Sequence, residues 1–303
     1  MLYRNELMRT YCTLSDKNYL IKGLALIDSL LEKSSEELTI YYLCMDDETY
    51  NKLISLENKN IIPIGISSLE KEKDFKTLKE NTKYSPDWCS YCFALGSYFT
   101  EYIIRIYKVK DILYIDSDII FYQDPKYIFE EIDEKSIGIM LHRHNKIGAP
   151  VGGYNVGVVY FKNNDIGYKC LKWWRDCVMD KTNKWYSRYG KTGGGDGDQK
   201  YLEGFEPLFG KDNISVIDEG IGHGAPWNFT LYQYDGEDII WKSKRQKMIF
   251  IHFSHFTPNY KSGTYAVDKN GEWKNPQNTH VRIKKYYDDY FDSLLNTKIK
   301  YNL

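Results

Sequence analysis

The chain of 303 residues has almost no charge imbalance, with 41 Lys and Arg against 42 Asp and Glu. A nucleic-acid footprint spread over a chain needs a basic excess, so no nucleic-acid partner is expected. Long apolar runs are missing too: no stretch approaches the roughly 18 residues of a membrane-crossing helix. The first twelve residues carry Arg4, Glu6 and Arg9 without an apolar block, unlike a secretory leader. A cytoplasmic protein is expected. Cysteine is sparse and scattered, at Cys12, Cys44, Cys89, Cys92, Cys170 and Cys177. Cys89 and Cys92 form a C-x-x-C, but no second pair completes a zinc site and the thioredoxin-type setting is absent, so the six read as reduced thiols. No internal repeat and no low-complexity linker divides the chain.

Aromatic residues are plentiful, at 16%, and 28 of them are Tyr. Such side chains stack on sugar or base faces while their hydroxyls find partners; an Ile/Lys/Asn/Tyr-rich background composition accounts for them equally well. The first half alternates in period. Strands are predicted at Arg9 to Leu14, Leu38 to Cys44 and Ile61 to Ile66, with helices at Asn18 to Glu32 and Asp47 to Leu56 between them. This β-α-β-α-β order implies a parallel sheet with helices on its faces, an α/β fold. A long helix from Pro86 and Asp87 towards Ile106 leads into a buried strand, Asp111 to Ile115. In the second half, strands are predicted at Ser136 to Leu141, Asn155 to Phe161, Ile214 to Ile217 and Met248 to Phe253. Helices are predicted from Asp124-Pro125 to Ile132, at Asn164 to Met179, from Gln199 and at Thr279 to Asn296.

The strongest local feature is LYIDSDIIF, Leu113 to Phe121. In extended backbone Asp116 and Asp118 point to one side at the carboxyl end of a buried strand, where open α/β sheets bind ligands. Two close carboxylates repel, and a divalent cation or a shared proton relieves them. A helix cap or turn is the plainer alternative, but acids flanked by Ile119, Ile120 and Phe121 favour a metal or phosphate role. In MIFIHFSHF, His252 ends an apolar strand. A lone histidine there is more often a core residue, yet with two carboxylates its nitrogen suits Mn²⁺ better than Mg²⁺. Asp198 and Gln199 follow a glycine cluster, Gly190 and Gly193 to Gly197, and either cap a helix or project into a cleft. Gly190-Lys191-Thr192 is not a phosphate loop, because the required earlier glycine falls at Trp185. Asn155 offers both donor and acceptor to a hydroxylated ligand, or closes a turn before its strand. Arg143, ending another strand, either forks onto a phosphate or makes an ordinary ion pair. Ala225-Pro226-Trp227-Asn228 looks like an ordered loop with an aromatic wall and has no role assignable from sequence.

These pieces fall in an ordered series: TLSDKNY at Thr13, YIDSD at Tyr114, YNVGVVYF at Tyr154, GDQKYL at Gly197, APWN at Ala225 and IHFS at Ile251. In that order the chain resembles nucleotide-sugar glycosyltransferases of the GT-A fold, similar to glycosyltransferase family 8 and its bacterial polysaccharide-synthesis relatives. The resemblance implies one GT-A domain with a mixed central sheet flanked by helices. It would hold a nucleotide-binding half at 1–121, a donor and acceptor half at 122–260 and a C-terminal helical extension at 261–303. It further implies that Leu14, Asp16 and Asn18 line the base and ribose, that Asp116 and Ser117 reach the ribose, and that Asp116, Asp118 and His252 hold Mn²⁺, or alternatively Mg²⁺. Asn155 would sit near donor sugar or acceptor, Asp198 would bind donor hydroxyls and Gln199 would lie closest to the anomeric carbon. The implied donor is a UDP-sugar, the acceptor a glycan or lipid-linked saccharide, and the outcome retention.

Two departures stand out. Phe99 and Thr100 lie where the family often has Arg, with Arg105 much nearer the acidic motif. His255 stands where Gly is expected, and the following lysine is missing, with Lys261 the candidate substitute. The competing readings are a haloacid-dehalogenase-like phosphatase, with Asp116 as nucleophile, and an inactive nucleotide-sugar-binding module. The C-terminal segment, where Arg282, Lys284 and Lys285 mix with Tyr286, Tyr287, Tyr290 and Phe291, is either a plain surface helix or a peripheral membrane contact.

Overall fold

Strand β1 (Arg9–Ser15) sends Cys12 and Leu14 to one face and Tyr11 to the other, and all three are buried, so both faces need cover. This is seen in a computed structural model that describes residues 8–83, 88–144, 152–179, 198–267 and 276–303. Helix α1 (Leu20–Lys33), β2 (Leu38–Cys44), α2 (Asp47–Ser55) and β3 (Ile61–Gly65) follow, and the three strands pair in parallel. Two single turns, α3 (Ile66–Leu69) and α4 (Phe75–Leu78), lead to α5 (Trp88–Tyr107). Leu95, Tyr98, Phe99 and Ile103 of α5 cover the Cys12 face; Leu24, Ile27 and Leu30 of α1 cover the other.

The sheet continues through β4 (Asp111–Ile115), parallel to β1. After β5 (Ile119–Phe121) and α6 (Lys126–Ile132) come β6 (Ile137–Leu141), β7 (Tyr154–Lys162), α7 (Asp165–Met179) and β8 (Ile214–Ile217). The order is β3-β2-β1-β4-β7-β6-β8, with β7 antiparallel to both neighbours, so the sheet is mixed and helix-flanked as expected. A 3₁₀ segment, Gln199–Gly204, stands where the helix opening at Gln199 was expected. The expected helix start at Pro86-Asp87 and the glycine cluster at 190–197 lie outside the described residues.

Strand β5 leaves this sheet for a second one. Its pleat drives Ile119 and Phe121 into the core beneath α1 and turns Ile120 into a third core. The second sheet contains β9 (Ile221–Gly224), β10 (Gln233–Asp235), β11 (Asp238–Trp241) and β12 (Lys244–His252) in the order β10-β11-β12-β5, with β9 beside β12. Strands β12 and β5 run antiparallel with Ile251 opposite Ile120 and His252 opposite Ile119. That register places the end of β12 against the acidic turn.

A small hairpin, β13 (Thr257–Asn259) and β14 (Thr264–Ala266), precedes the C-terminal helix Val281–Tyr301. This helix buries the aromatic residues that a membrane contact would use. Tyr286, Tyr287, Tyr290, Phe291 and Leu294 are buried in the third core, and Phe253 stacks on Tyr290 at 4.0 Å between centroids. Lys284 and Lys285 pair with Asp288 and Asp289 one turn on, and Lys300 pairs with Asp28. The aromatic face that would enter a lipid surface is spent inside the protein. Among the described residues no helix is long and apolar enough to cross a membrane. Cys12, Cys44, Cys92, Cys170 and Cys177 are free thiols.

Candidate metal centre and donor cleft

The acidic turn is held by backbone bonds on both sides. Asp116 N–H donates to Gly157 O on β7 at 3.0 Å, and Phe253 N–H donates to Asp118 O at 2.9 Å. The second bond continues the β5–β12 ladder past His252. In consequence His252 Nε2 lies 3.1 Å from Asp118 Oδ1 and 3.7 Å from Asp116 Oδ2. One donor atom from each of the three residues falls within 4.8 Å of the others. That is near twice a metal–ligand bond of about 2.1 Å, a spacing one cation can bridge. The His252 ring rests directly on Gly157: a Cβ there would lie 2.7 Å from Nδ1 and 2.6 Å from Asn155 Oδ1. His252 Nδ1 is buried without a hydrogen-bond partner, and the edge of Trp227 closes over the ring at 5.4 Å. Two carboxylates and an imidazole, packed on a glycine and walled by an indole, fit a divalent cation.

Electrostatics separate the two acids. Burial raises the Asp116 carboxyl above the usual carboxylate range; Asp118 adds to this, while His252 and the Tyr114 hydroxyl oppose it. Burial pushes Asp118 the same way, but His252 and Lys22 outweigh it and hold the group at about 2. Burial disfavours the charged His252 ring, yet Asp118 and Asp116 win and its pKa lies above the ordinary histidine value. A cation at this ring therefore competes with a proton that the two acids favour.

The sugar-side candidates converge. Asn155 Nδ2 donates to Gln199 Oε1 at 2.8 Å, Val156 N–H donates to the same oxygen at 3.3 Å, and Asn155 Oδ1 accepts from Gly157 N–H at 2.8 Å. These bonds leave the Gln199 amide NH₂ as its free donor end. Asp198 is buried at the start of the same segment; its carbonyl accepts from Trp174 Nε1 at 3.1 Å, and its charge helps raise the Tyr114 phenol, after burial and Asp116. Leu14 is buried near the end of β1, whose register with β4 pairs Cys12 with Tyr114, so Asp16 follows beside the acidic turn. The Asp16 carboxylate accepts from the backbone N–H groups of Asn18 and Tyr19 and from Asn18 Nδ2, each at 3.0 Å. It shapes the turn into α1. Ser117 lies between the two acids.

One phosphate candidate is displaced. Arg143 is sealed from solvent and its five N–H groups are spoken for: Nε donates to Asp218, Nη1 to Gln246 and the Tyr232 hydroxyl, Nη2 to the carbonyls of Asp218 and Ile221. The side chain locks the second sheet to β6 and has no donor left for a phosphate. Lys261 is exposed in the turn between β13 and β14. His255, in the expected glycine position, holds φ +62°, the left-handed backbone that glycine adopts freely.

Sequence reasoning assigned no site role to Tyr114 or Lys22 and left the aromatic wall at Trp227 without one. Tyr114 donates to Asp116 Oδ1 at 2.7 Å, a contact that the two-residue alternation of the strand could have suggested. Trp227 walls His252, and its Nε1 donates to His142 O at 2.8 Å. Lys22, on α1, is buried with Nζ 4.0 Å from Asp118 Oδ2 and 3.0 Å from Phe256 O. Burial lowers its pKa and Asp118 opposes the shift. A contact across 234 residues leaves no local signal.

No protein-family model matches the chain. It is 30% identical over 259 residues to the uncharacterized protein YfnF of Bacillus subtilis strain 168, covering 81% of each. The structure of galactosyltransferase LgtC with donor and acceptor sugar analogues superposes with a TM-score of 0.53 at 13% identity, over 92% of this chain and 95% of that one. Mouse xyloside xylosyltransferase 1, in its apo form, gives 0.52 at 15% identity over 82% of this chain and 98% of that one. At these identities the structural likeness is one of fold, the GT-A glycosyltransferase fold.

Proposed function

We propose, from the premise that the chain belongs to the family of the Bacillus subtilis protein YfnF and has the GT-A fold, that it is a metal-dependent glycosyltransferase. It moves a sugar from a nucleotide-sugar donor, a UDP-sugar, to a hydroxyl of a glycan or lipid-linked saccharide. The observation that carries this reading is the convergence of Asp116, Asp118 and His252 from two sheets onto one cation-sized position at the carboxyl end of β4. A Mn²⁺ or Mg²⁺ ion held there supplies Lewis-acid neutralisation of the charge that builds on a departing diphosphate.

The chain's own groups do the positioning. Tyr114 fixes one oxygen of Asp116, and Gly157 lets the His252 ring approach β7 closely. The Gln199 carbonyl oxygen already accepts from Asn155 and Val156, which supports a hydrogen-bond donor role towards the sugar rather than attack on it. Retention, implied by the family resemblance, is the proposed outcome. A phosphatase would need Asp116 as nucleophile, whereas Tyr114 holds one of its oxygens and His252 faces the other.

A panel of nucleotide sugars assayed for Mn²⁺-dependent hydrolysis tests the reading. Turnover of a UDP-sugar by the wild type, lost in Asp118→Ala, is the expected result. Phosphomonoester turnover with Mg²⁺ and no response to any nucleotide sugar would overturn it in favour of a phosphatase. Binding without turnover would point to an inactive module.

A further inference from the structure

Lys22 is the described lysine or arginine within ion-pair distance of the paired acids, and the protein under-serves it. An ammonium group has three N–H donors. Here one is accepted by Phe256 O at 3.0 Å. Asp118 Oδ2, at 4.0 Å, is beyond hydrogen-bond distance, and the Tyr19 ring lies under Nζ at 4.1 Å from its centroid. Burying a charge with so few acceptors is costly unless another anion completes its surroundings. The carboxylate it faces also meets His252 through its other oxygen, so Lys22 and a bound cation would share Asp118.

That sharing has a direction. A lysine beside a cation site repels the cation and weakens binding of the bare ion. The same lysine favours a cation that arrives with a multiply charged anion. Among the described residues, Arg143 has its donors filled, Lys200 pairs with Glu203, and Lys261 is exposed on the hairpin.

Resting on the glycosyltransferase reading, we infer that Lys22 is a phosphate-contacting residue of the donor cleft. Its ammonium engages the terminal phosphoryl group of a nucleoside diphosphate, so the site takes metal and diphosphate together and the metal alone weakly. Lys22 thereby fills the place of the missing family lysine, from the opposite end of the chain.

Titration calorimetry of wild type, Lys22→Met and Lys22→Gln with Mn²⁺ alone, Mn²⁺ with pyrophosphate, Mn²⁺ with UDP and Mn²⁺ with UMP tests this. Lys22→Gln keeps a donor for Phe256 O while removing the charge, and melting curves check both variants for folding. Bare Mn²⁺ should bind as well or a few-fold tighter in the variants, whereas UDP and pyrophosphate should bind about tenfold or more weakly and the preference for UDP over UMP should collapse. Parallel losses of Mn²⁺ and UDP binding would make Lys22 a structural strut and overturn the inference, as would an unchanged UDP to UMP ratio. If the wild type binds Mn²⁺-pyrophosphate in a Lys22-dependent way but no nucleotide, Lys22 keeps its role and the nucleotide-sugar reading falls. If it binds neither, both fall.

Discussion

Two clusters of buried acid and base lie on this protein, and they are built to different standards. On the far side, between α5 and α7, Glu101 is almost wholly buried and accepts from Arg175 at 3.1 Å, Arg105 at 3.2 Å and the Tyr168 hydroxyl at 2.6 Å. Both of its oxygens are in hydrogen bonds, and the two guanidiniums reach on to Glu72, Asp74 and Asp176. At the sheet's carboxyl end the contacts are longer: Asp116 Oδ2 faces His252 at 3.7 Å, Asp118 Oδ2 faces Lys22 at 4.0 Å, and among the described residues His252 Nδ1 has no hydrogen-bond partner. The residue types are alike. A saturated cluster braces a fold; one whose groups face each other at longer range is arranged around something else.

The sharpest way to break this contrast is a paired substitution. Asp118→Ala should cut Mn²⁺-dependent turnover about a thousandfold, a far larger loss in activity than in stability. Glu101→Ala removes the buried acceptor shared by Arg175, Arg105 and the Tyr168 hydroxyl and should cost roughly 1–3 kcal/mol of stability, with turnover per folded molecule preserved. Denaturation curves and initial rates on both variants decide it, and the contrast fails if the two profiles are alike. Next in size is Gly157→Ala. A methyl group at this position meets His252 and Asn155 at contact distances the structure cannot accommodate, so the ring must swing. Mn²⁺ affinity should fall about tenfold or more and stability by about 1–3 kcal/mol; unchanged metal affinity would show that the ring is not a ligand.

The smallest expected effect is a slope. Asp118 and Asp116 raise the pKa of His252 above the ordinary histidine value against the effect of burial, so a metal competes with a proton for the ring. Mn²⁺ affinity should therefore weaken as pH falls from 8 to 6, by at most about tenfold per unit once the ring is protonated. His252→Asn should flatten the profile. A wild-type profile already flat over that interval would remove the proton from the description.

Much of this was legible in the residues, for reasons that also mark where legibility stops. Strands Leu38–Cys44, Asp111–Ile115 and Ile214–Ile217 stand as read, because each is a short, largely apolar run with acidic residues close to its ends. The second sheet was largely invisible. Its strands at Ile221–Gly224, Gln233–Asp235 and Asp238–Trp241 are three or four residues long, too short for a period to show. Strand β12 starts at Lys244, before the apolar run at Met248, since its polar half pairs with β11. In the site, Asp116, Asp118 and His252 could be named because acids and a histidine at apolar strand ends are locally conspicuous. The fate of Arg143 could not, because its acceptors come from Asp218, Ile221, Tyr232 and Gln246. Such contacts exist only after both sheets have formed.

The antiparallel seam between β5 and β12 joins Ile119 to His252, and closing a loop of that length comes at an entropic cost that only long-range pairing recovers. A nascent chain released from the ribosome short of the end of β12 would hold the acidic turn but lack its imidazole. The proposed cation site would thus be completed late in biogenesis, and truncated products of this sequence would emerge with only its acidic half.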